Sequence, residues 1–386
     1  MIARLRRLPL LVVNSAIVLP FGCLIALLWA NLWPERYYQF AHALNFAVDD
    51  VGLALFFGIM TKHVVEETLQ GGTLHSWRRA LLPIAAAAGA VIVPIAIYVG
   101  YLDFVEEPML VSAWVVTTAV DVAVCYLVGS LIFGRHSALA FVVLLSIAAN
   151  AAGLAAIAIG NPPTLVHALA GLVGVLVGAF GARWLRRHGT TSPWPYLIGP
   201  GALCWIGLHL AGVHPALALV PVVPFMPHAR RDPGLLADPL PGDHDTLSRF
   251  ERTWEPAVQA VLFLFGLVNA GVPLHGQESG AWALPIAVIV GRPIGVVIAA
   301  SLAIQLGLHR TLHIGTRELV VIGFITATAL TMALFFSNAI LGTGPLQNQL
   351  SLGALITAFS PLLAWFTAWT LGVGRFGRAA VHKEAA

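Results

Sequence analysis

The chain has 386 residues, of which 58% are hydrophobic and only 10% charged, with a formal net charge of +3 and a mean hydropathy of +0.85. That composition excludes a soluble domain of this size, and the scatter of basic residues among short loops excludes the sustained basic face that nucleic acid needs. Apolar runs of roughly 20 residues, the length a helix needs to cross about 30 Å of hydrocarbon, predict an all-α polytopic membrane protein and not a barrel.

The first run follows Met1-Ile2-Ala3-Arg4-Leu5-Arg6-Arg7 and extends to Trp33. It is too long for a secretory signal and ends in no small-residue cleavage site, so it reads as an uncleaved first membrane helix. About twelve transmembrane helices are predicted from hydropathy, over 8–32, 45–62, 80–102, 110–133, 139–159, 165–185, 196–210, 213–226, 255–272, 282–306, 319–341 and 352–373. The short pair 196–210 and 213–226 reads as a tight helical or partly re-entrant hairpin. Residues 227–254, rich in Pro, Asp and Arg, read as a cytoplasmic hinge loop between the eighth and ninth helices of a single integral membrane domain, 1–386. Alternate connections hold Arg78/Arg79, Arg135, Arg183/Arg186/Arg187, Arg230/Arg231, Arg310/Arg317 and Arg375/Arg378/Lys383. The intervening ones hold Asp103/Glu106/Glu107, Asn161-Pro162-Pro163 or His275/Glu278. By the positive-inside rule this alternation puts both termini in the cytoplasm.

Polar groups inside the spans carry the functional signal. Asp121 sits about midway along the fourth span, with Thr117 one turn before it on the same side. A charge at mid-membrane costs about 2.5–3.5 kcal/mol on insertion scales, so a carboxylate there is a functional candidate. Asn150 lies midway along the fifth span beside Gly153, where its oxygen either ligates a cation or pairs two helices. In the tenth span Gly291-Arg292-Pro293-Ile294-Gly295 buries a permanent cation, which demands Asp121, freed backbone carbonyls or a helix C-terminus as its partner. Thr326-Ala327-Thr328-Ala329-Leu330-Thr331 in the eleventh is small and hydroxyl-rich, which permits close packing or local unwinding.

Other residue types argue against other chemistries. Cys23, Cys125 and Cys204 all fall in apolar runs and read as small buried residues. Of the histidines, His63, His209 and His214 are the most deeply placed, and the last two lack the i, i+4 spacing of a helical metal site, so no metal is predicted. With no nucleophile beside a base, no phosphate-binding loop and no implied cofactor, the chain reads as a carrier and not an enzyme.

Several short segments carry a family resemblance: Ala54-Leu55-Phe56-Phe57 through Leu69-Gln70-Gly71, Ile92-Val93-Pro94, Gly212-Val213-His214, Asn269-Ala270-Gly271-Val272, Gly291-Arg292-Pro293-Ile294-Gly295 and Thr331-Met332. With these in order, the chain resembles over nearly its whole length the bacterial sodium/proton antiporters of the NhaA type. The resemblance implies an inverted-repeat antiporter fold whose fourth and eleventh helices are broken and cross, in the bacterial inner membrane, as a homodimer. Its substrates would be Na+ or Li+ and H+. Asp121 falls on the family's intramembrane Asp, implied to offset helix-end dipoles, and Arg292 falls where the family has a Lys. Asn150-Ala151-Ala152-Gly153 falls on the family's Asp-Asp-Leu-Gly, so Asp121, Asn150, Arg292, Thr117 and Thr331 are the ion and proton pathway candidates. His63 falls on a Glu linked to pH response and Asp50 on an Asp of the second helix. Because neither Asn150 nor Ala151 titrates, the alternative is a transport-inactive or altered-substrate member of the fold that acts as a scaffold or accessory membrane protein.

Overall fold

The computed structural model describes residues 10–68, 77–134, 137–160, 164–228, 245–274, 279–308, 314–342 and 344–377. All regular structure among them is helical. In chain order the helices are α1 Leu10–Leu32, α2 Pro34–Asn45, α3 Leu53–Thr68, α4 Trp77–Phe104, α5 Val122–Phe133, α6 Ser137–Gly160, α7 Leu165–Arg187, α8 Ala202–Leu210, α9 Thr246–Asn269, α10 Ala283–Gln305, α11 Thr316–Thr326, α12 Leu330–Leu341, α13 Pro345–Thr357 and α14 Ser360–Leu371. A 3-10 helix, Pro108–Thr118, precedes α5. Among the described residues six helical stretches are long and apolar enough to cross a membrane, or eight if each of two bent pairs counts as one span. Those pairs are Pro108–Thr118 with α5 and α11 with α12, each bent by 52°. Loop charges at Arg135, Arg230, Arg231, Arg310, Arg378 and Lys383, the 161–163 and 275–278 connections and the first seven residues lie outside the described residues, as do 229–244 of the 227–254 loop. From Thr246 that loop is already helical.

The chain divides into two compact units. The first draws on Met1–Tyr37, Ser76–Ala156 and Asn269–Ala386. Its axis is the pairing of α4 with α10, which is close because the contact is made of glycines. A Cβ added at Gly89 would lie 2.1 Å from the Gly295 carbonyl oxygen, and one at Gly295 would lie 2.1 Å from that of Gly89. In lipid no hydrophobic force draws helices together, so small residues that let backbones touch supply the packing. Gly291 meets Pro94 and Gly323 meets Pro293 in the same manner, which seats α11 against the middle of α10. Around this contact Ala86, Ala90, Cys125, Phe141, Val296 and Ile322 form one buried apolar core.

The second unit comprises Tyr38–His75 and Ile157–Val268. Here α7 lies along α8, with Gly171 and Gly178 facing Gly207 and Cys204. The other face of α7, including Leu169, Leu172, Val173, Leu176 and Phe180, is exposed, as suits contact with acyl chains. Phe46–Gly52, just before α3, is wound as a π-helix. The expected helix over 213–226 is not formed: only the 3-10 turns Pro215–Leu217 and Val223–Phe225 appear. Pro215, Pro221 and Pro224 each lack the N–H that an α-helical ladder needs, so the segment closes i to i+3 turns instead.

Candidate functional site

Both breaks in the first unit arise from the same local chemistry. Before the first, Val115, Val116, Thr117 and Thr118 are all β-branched, and such side chains lose rotamer freedom in a helix. Thr117 and Thr118 donate their hydroxyls to the carbonyls of Trp114 and Val115 at 2.8 Å each, bonds that compete with the helical ladder. Ala119 is then extended, with φ −59° and ψ 128°. At the second break Thr326 donates to Ile322 and Gly323 carbonyls and Thr328 to that of Ile325. Ala329, at φ −129° and ψ 5°, lies outside helical geometry before α12 begins.

Breaking a helix inside a membrane frees backbone groups that each cost several kcal/mol if left unpaired. Here they are paired one by one. The two breaks touch directly, since the Asp121 N–H donates to the Thr328 carbonyl at 2.8 Å. Arg292, fully buried on α10, donates to the carbonyls of Thr117, Ala119 and Thr326. Those oxygens are the C-terminal ends of both leading half-helices, where partial negative charge gathers and a cation is favourable.

Asp121 stands at the opposite ends. It caps α5, its Oδ1 accepting from the Val124 N–H at 3.2 Å. Its Oδ2 accepts from the Thr331 hydroxyl at 2.5 Å and from the Thr331 N–H at 3.4 Å, in the first turn of α12. One carboxylate therefore faces two positive helix N-termini, the arrangement that stabilises an anion or holds it ready for a cation to share.

The structure brings Asp121, Thr117, Thr331, Arg292 and Asn150 together, and of the partners weighed for Arg292 it shows the freed backbone carbonyls. Arg292 does not bridge Asp121: among the described residues its hydrogen bonds all go to backbone carbonyls. The two charges serve opposite helix ends, which separates them. Thr117 contributes its carbonyl, since its hydroxyl is used within its own turn. Asn150, 8% exposed, is bound at both ends of its amide to Val120: Oδ1 accepts from the N–H and Nδ2 donates to the C=O, each at 2.8 Å. Ala151 points to an exposed face of α6.

Sequence reasoning missed the groups that complete the second break. Thr357 accepts from the Ala329 N–H at 3.2 Å, and Ser360 shares a 2.6 Å hydrogen bond with Thr328. Both occur where α13 gives way to α14, and Ser360-Pro361 is the signal of a helix start that could have found them.

His63 and Asp50 belong to the second unit. His63 Nε2 lies 3.2 Å from Glu251 Oε1, and Lys62 Nζ 2.8 Å from Glu251 Oε2, so one carboxylate joins α3 to the first turns of α9. Glu251, ahead of the apolar part of α9, was not anticipated. Burial alone would raise its carboxyl, but hydrogen bonding and charge from His63 and then Lys62 outweigh that and hold it at about 2. Asp50, in the π-helix, lies 4.0 Å from His214 Nδ1, and its carbonyl accepts from Trp205 Nε1 at 3.3 Å. Its neighbour Asp49 is the more buried of the two, at 3% exposed.

Interrupted helices whose ends hold buried charges inside an apolar body define the class of ion-coupled secondary transporters. The sequence model of the family described as Na+/H+ antiporter 1 matches residues 11–370. The Na(+)/H(+) antiporter NhaA of Desulfitobacterium hafniense is 38% identical over 371 residues, covering 93% of this chain and 94% of that one. Na(+)/H(+) antiporter NhaA 1 of Pelobacter propionicus is 39% identical over 352 residues, covering 89% and 92%, and the NhaA of Geobacter sulfurreducens 34% over 370, covering 92% and 95%. The chain belongs to the Na+/H+ antiporter 1 family and is an integral membrane protein.

Proposed function

We propose that this protein exchanges sodium, or lithium, for protons across the bacterial inner membrane, with Asp121 as the group that holds either ion. The observation that carries the reading is the Asp121 carboxylate, buried at two helix N-termini in a chain of this family. Among the described residues no protein cation forms an ion pair with this anion, so a single sodium ion or a single proton neutralises it, and the two compete. Thr331 orients the carboxylate, while Arg292 and the Thr117 carbonyl secure the other side of the breaks. His63 and Asp50 are the groups through which pH would act on the second unit. In this reading the fold has about twelve spans in two inverted repeats, the broken fourth and eleventh cross at mid-membrane, both termini are cytoplasmic and two copies pair.

The test is a pH-sensitive dye in everted membrane vesicles energised by respiration. Added Na+ or Li+ should dequench it in vesicles carrying this protein and not in empty ones. Silence to both ions across about pH 6–9, roughly the span that histidine and surrounding groups titrate, would leave the scaffold reading, whose support is the neutral pair Asn150 and Ala151.

A further inference from the structure

Asn150 makes a contact that ion exchange at Asp121 does not by itself require. Its amide satisfies both backbone groups of a single residue, Val120. That residue sits between Ala119, whose carbonyl is held by Arg292, and Asp121, whose N–H is held by Thr328. Among the described residues the hydrogen bonds of the Val120 backbone are these two, so the placement of its peptide groups rests on α6. The approach of α6 is itself built: a Cβ at Gly153, one turn beyond Asn150, would lie 2.1 Å from Thr118 Oγ1 and 2.6 Å from Phe336. The second break has the same plan in hydroxyls, where Thr357 holds the Ala329 N–H and Ser360 holds Thr328.

We infer that Asn150 is a positioning residue: a neutral clamp that fixes the Val120 peptide, and through it the Asp121 carboxylate, and does not ligate the transported ion. The chemistry demands a side chain that accepts and donates at once, which an amide does at every pH and an ionised carboxylate cannot do. An ionised carboxylate at this position would set a negative oxygen against the Val120 carbonyl, a repulsion that drives the side chain off both backbone groups and releases the Val120 N–H as well. A carboxyl group could clamp only while protonated. Position 150 in this chain is thereby committed to the backbone, and its neutrality follows from that task.

The inference rests on the exchange reading for its transport arm alone; its backbone arm stands without it. Hydrogen exchange by mass spectrometry on the detergent-solubilised full chain reads the peptide containing Val120. Asn150→Ala should speed exchange there by about tenfold or more, the worth of one to two lost hydrogen bonds, while the peptide containing Ala329 is unchanged. Thr357→Val should do the converse. Should the alanine variant fail to fold, Asn150→Asp supplies the same test: Val120 protection retained at low pH and lost at high pH after correction for intrinsic exchange, a titration absent from wild type. In proteoliposomes Asn150→Ala should lower the maximal rate with the KM for Na+ moved less than about threefold, because a positioning group is not part of ground-state binding. Val120 protection unchanged in the alanine variant overturns the clamp. A KM raised about tenfold or more at unchanged rate and protection makes Asn150 an ion ligand and overturns it equally. If wild type shows no exchange at all, the function proposed above fails, while the Val120 result still decides the clamp.

Discussion

Arg292 and Asp121 divide the work at the two breaks by sign, the cation on three carbonyls and the anion on the N-terminal ends of α5 and α12. The two should therefore respond differently to substitution. Arg292→Met removes the guanidinium donors from those carbonyls and should destabilise the folded protein by about 3–5 kcal/mol, the cost of leaving buried charge-assisted partners unmet. Arg292→Lys keeps the charge but replaces a planar fork by a point donor, so it should fall between the two in thermal unfolding in detergent. Thr331→Val removes the short hydroxyl bond to Asp121 Oδ2 and leaves the helix intact. It should lower exchange while moving the unfolding temperature little. A Thr331→Val protein as active as wild type would show that the hydroxyl does not orient the carboxylate.

Among the elements, the α3–α9 connection through Glu251 gives the clearest pH statement. Its carboxyl is held at about 2 against an ordinary value of 4.5, so the stabilisation is fully present above 4.5 and is lost as pH falls through about 2. Glu251 is thus charged throughout the working range, and any pH response near neutrality must come from other groups. Glu251→Gln should cost about 1.5–3 kcal/mol, the worth of hydrogen bonds to a charged group, and a stability difference that vanished between pH 5 and 6 would contradict the assignment. At the α4–α10 contact, Gly295→Val should destabilise more than any single exposed substitution on α7, because the added Cβ meets the Gly89 carbonyl at 2.1 Å. The existence of most of these helices, and the glycine-rich tenth span, could be read from hydropathy and composition. What could not be read is which residue meets which across the breaks. Asn150 and Val120 are 30 positions apart and Arg292 and Thr117 are 175 apart. No period of 3.6 or 2 encodes such a pairing. The hydroxyl run of the eleventh span left packing and unwinding equally open, and only the backbone angles at Ala329 decide for unwinding.

At the scale of the whole molecule, composition alone placed the chain in a membrane, and the ordered motifs gave the family. Length and hydropathy overestimated regular helix where prolines accumulate, at 213–226. They also could not choose between Asp121 and the freed backbone carbonyls as the partner of Arg292. The proposed mechanism has a consequence for charge movement. A cycle in which Asp121 alone alternates between one sodium ion and one proton moves no net charge. Exchange by the purified protein should then run at the same rate whether the membrane potential is clamped with valinomycin and potassium or left free. A rate that follows the imposed potential would mean that a second titratable group shares the cycle.

The exchange proposed for Asp121 is tested most directly by uptake of radioactive sodium into proteoliposomes under an imposed pH gradient, comparing wild type with Asp121→Asn at matched folded protein. The account predicts gradient-driven uptake by wild type and none above empty liposomes by the variant, whose amide cannot take up a proton. Sustained uptake by Asp121→Asn would contradict it.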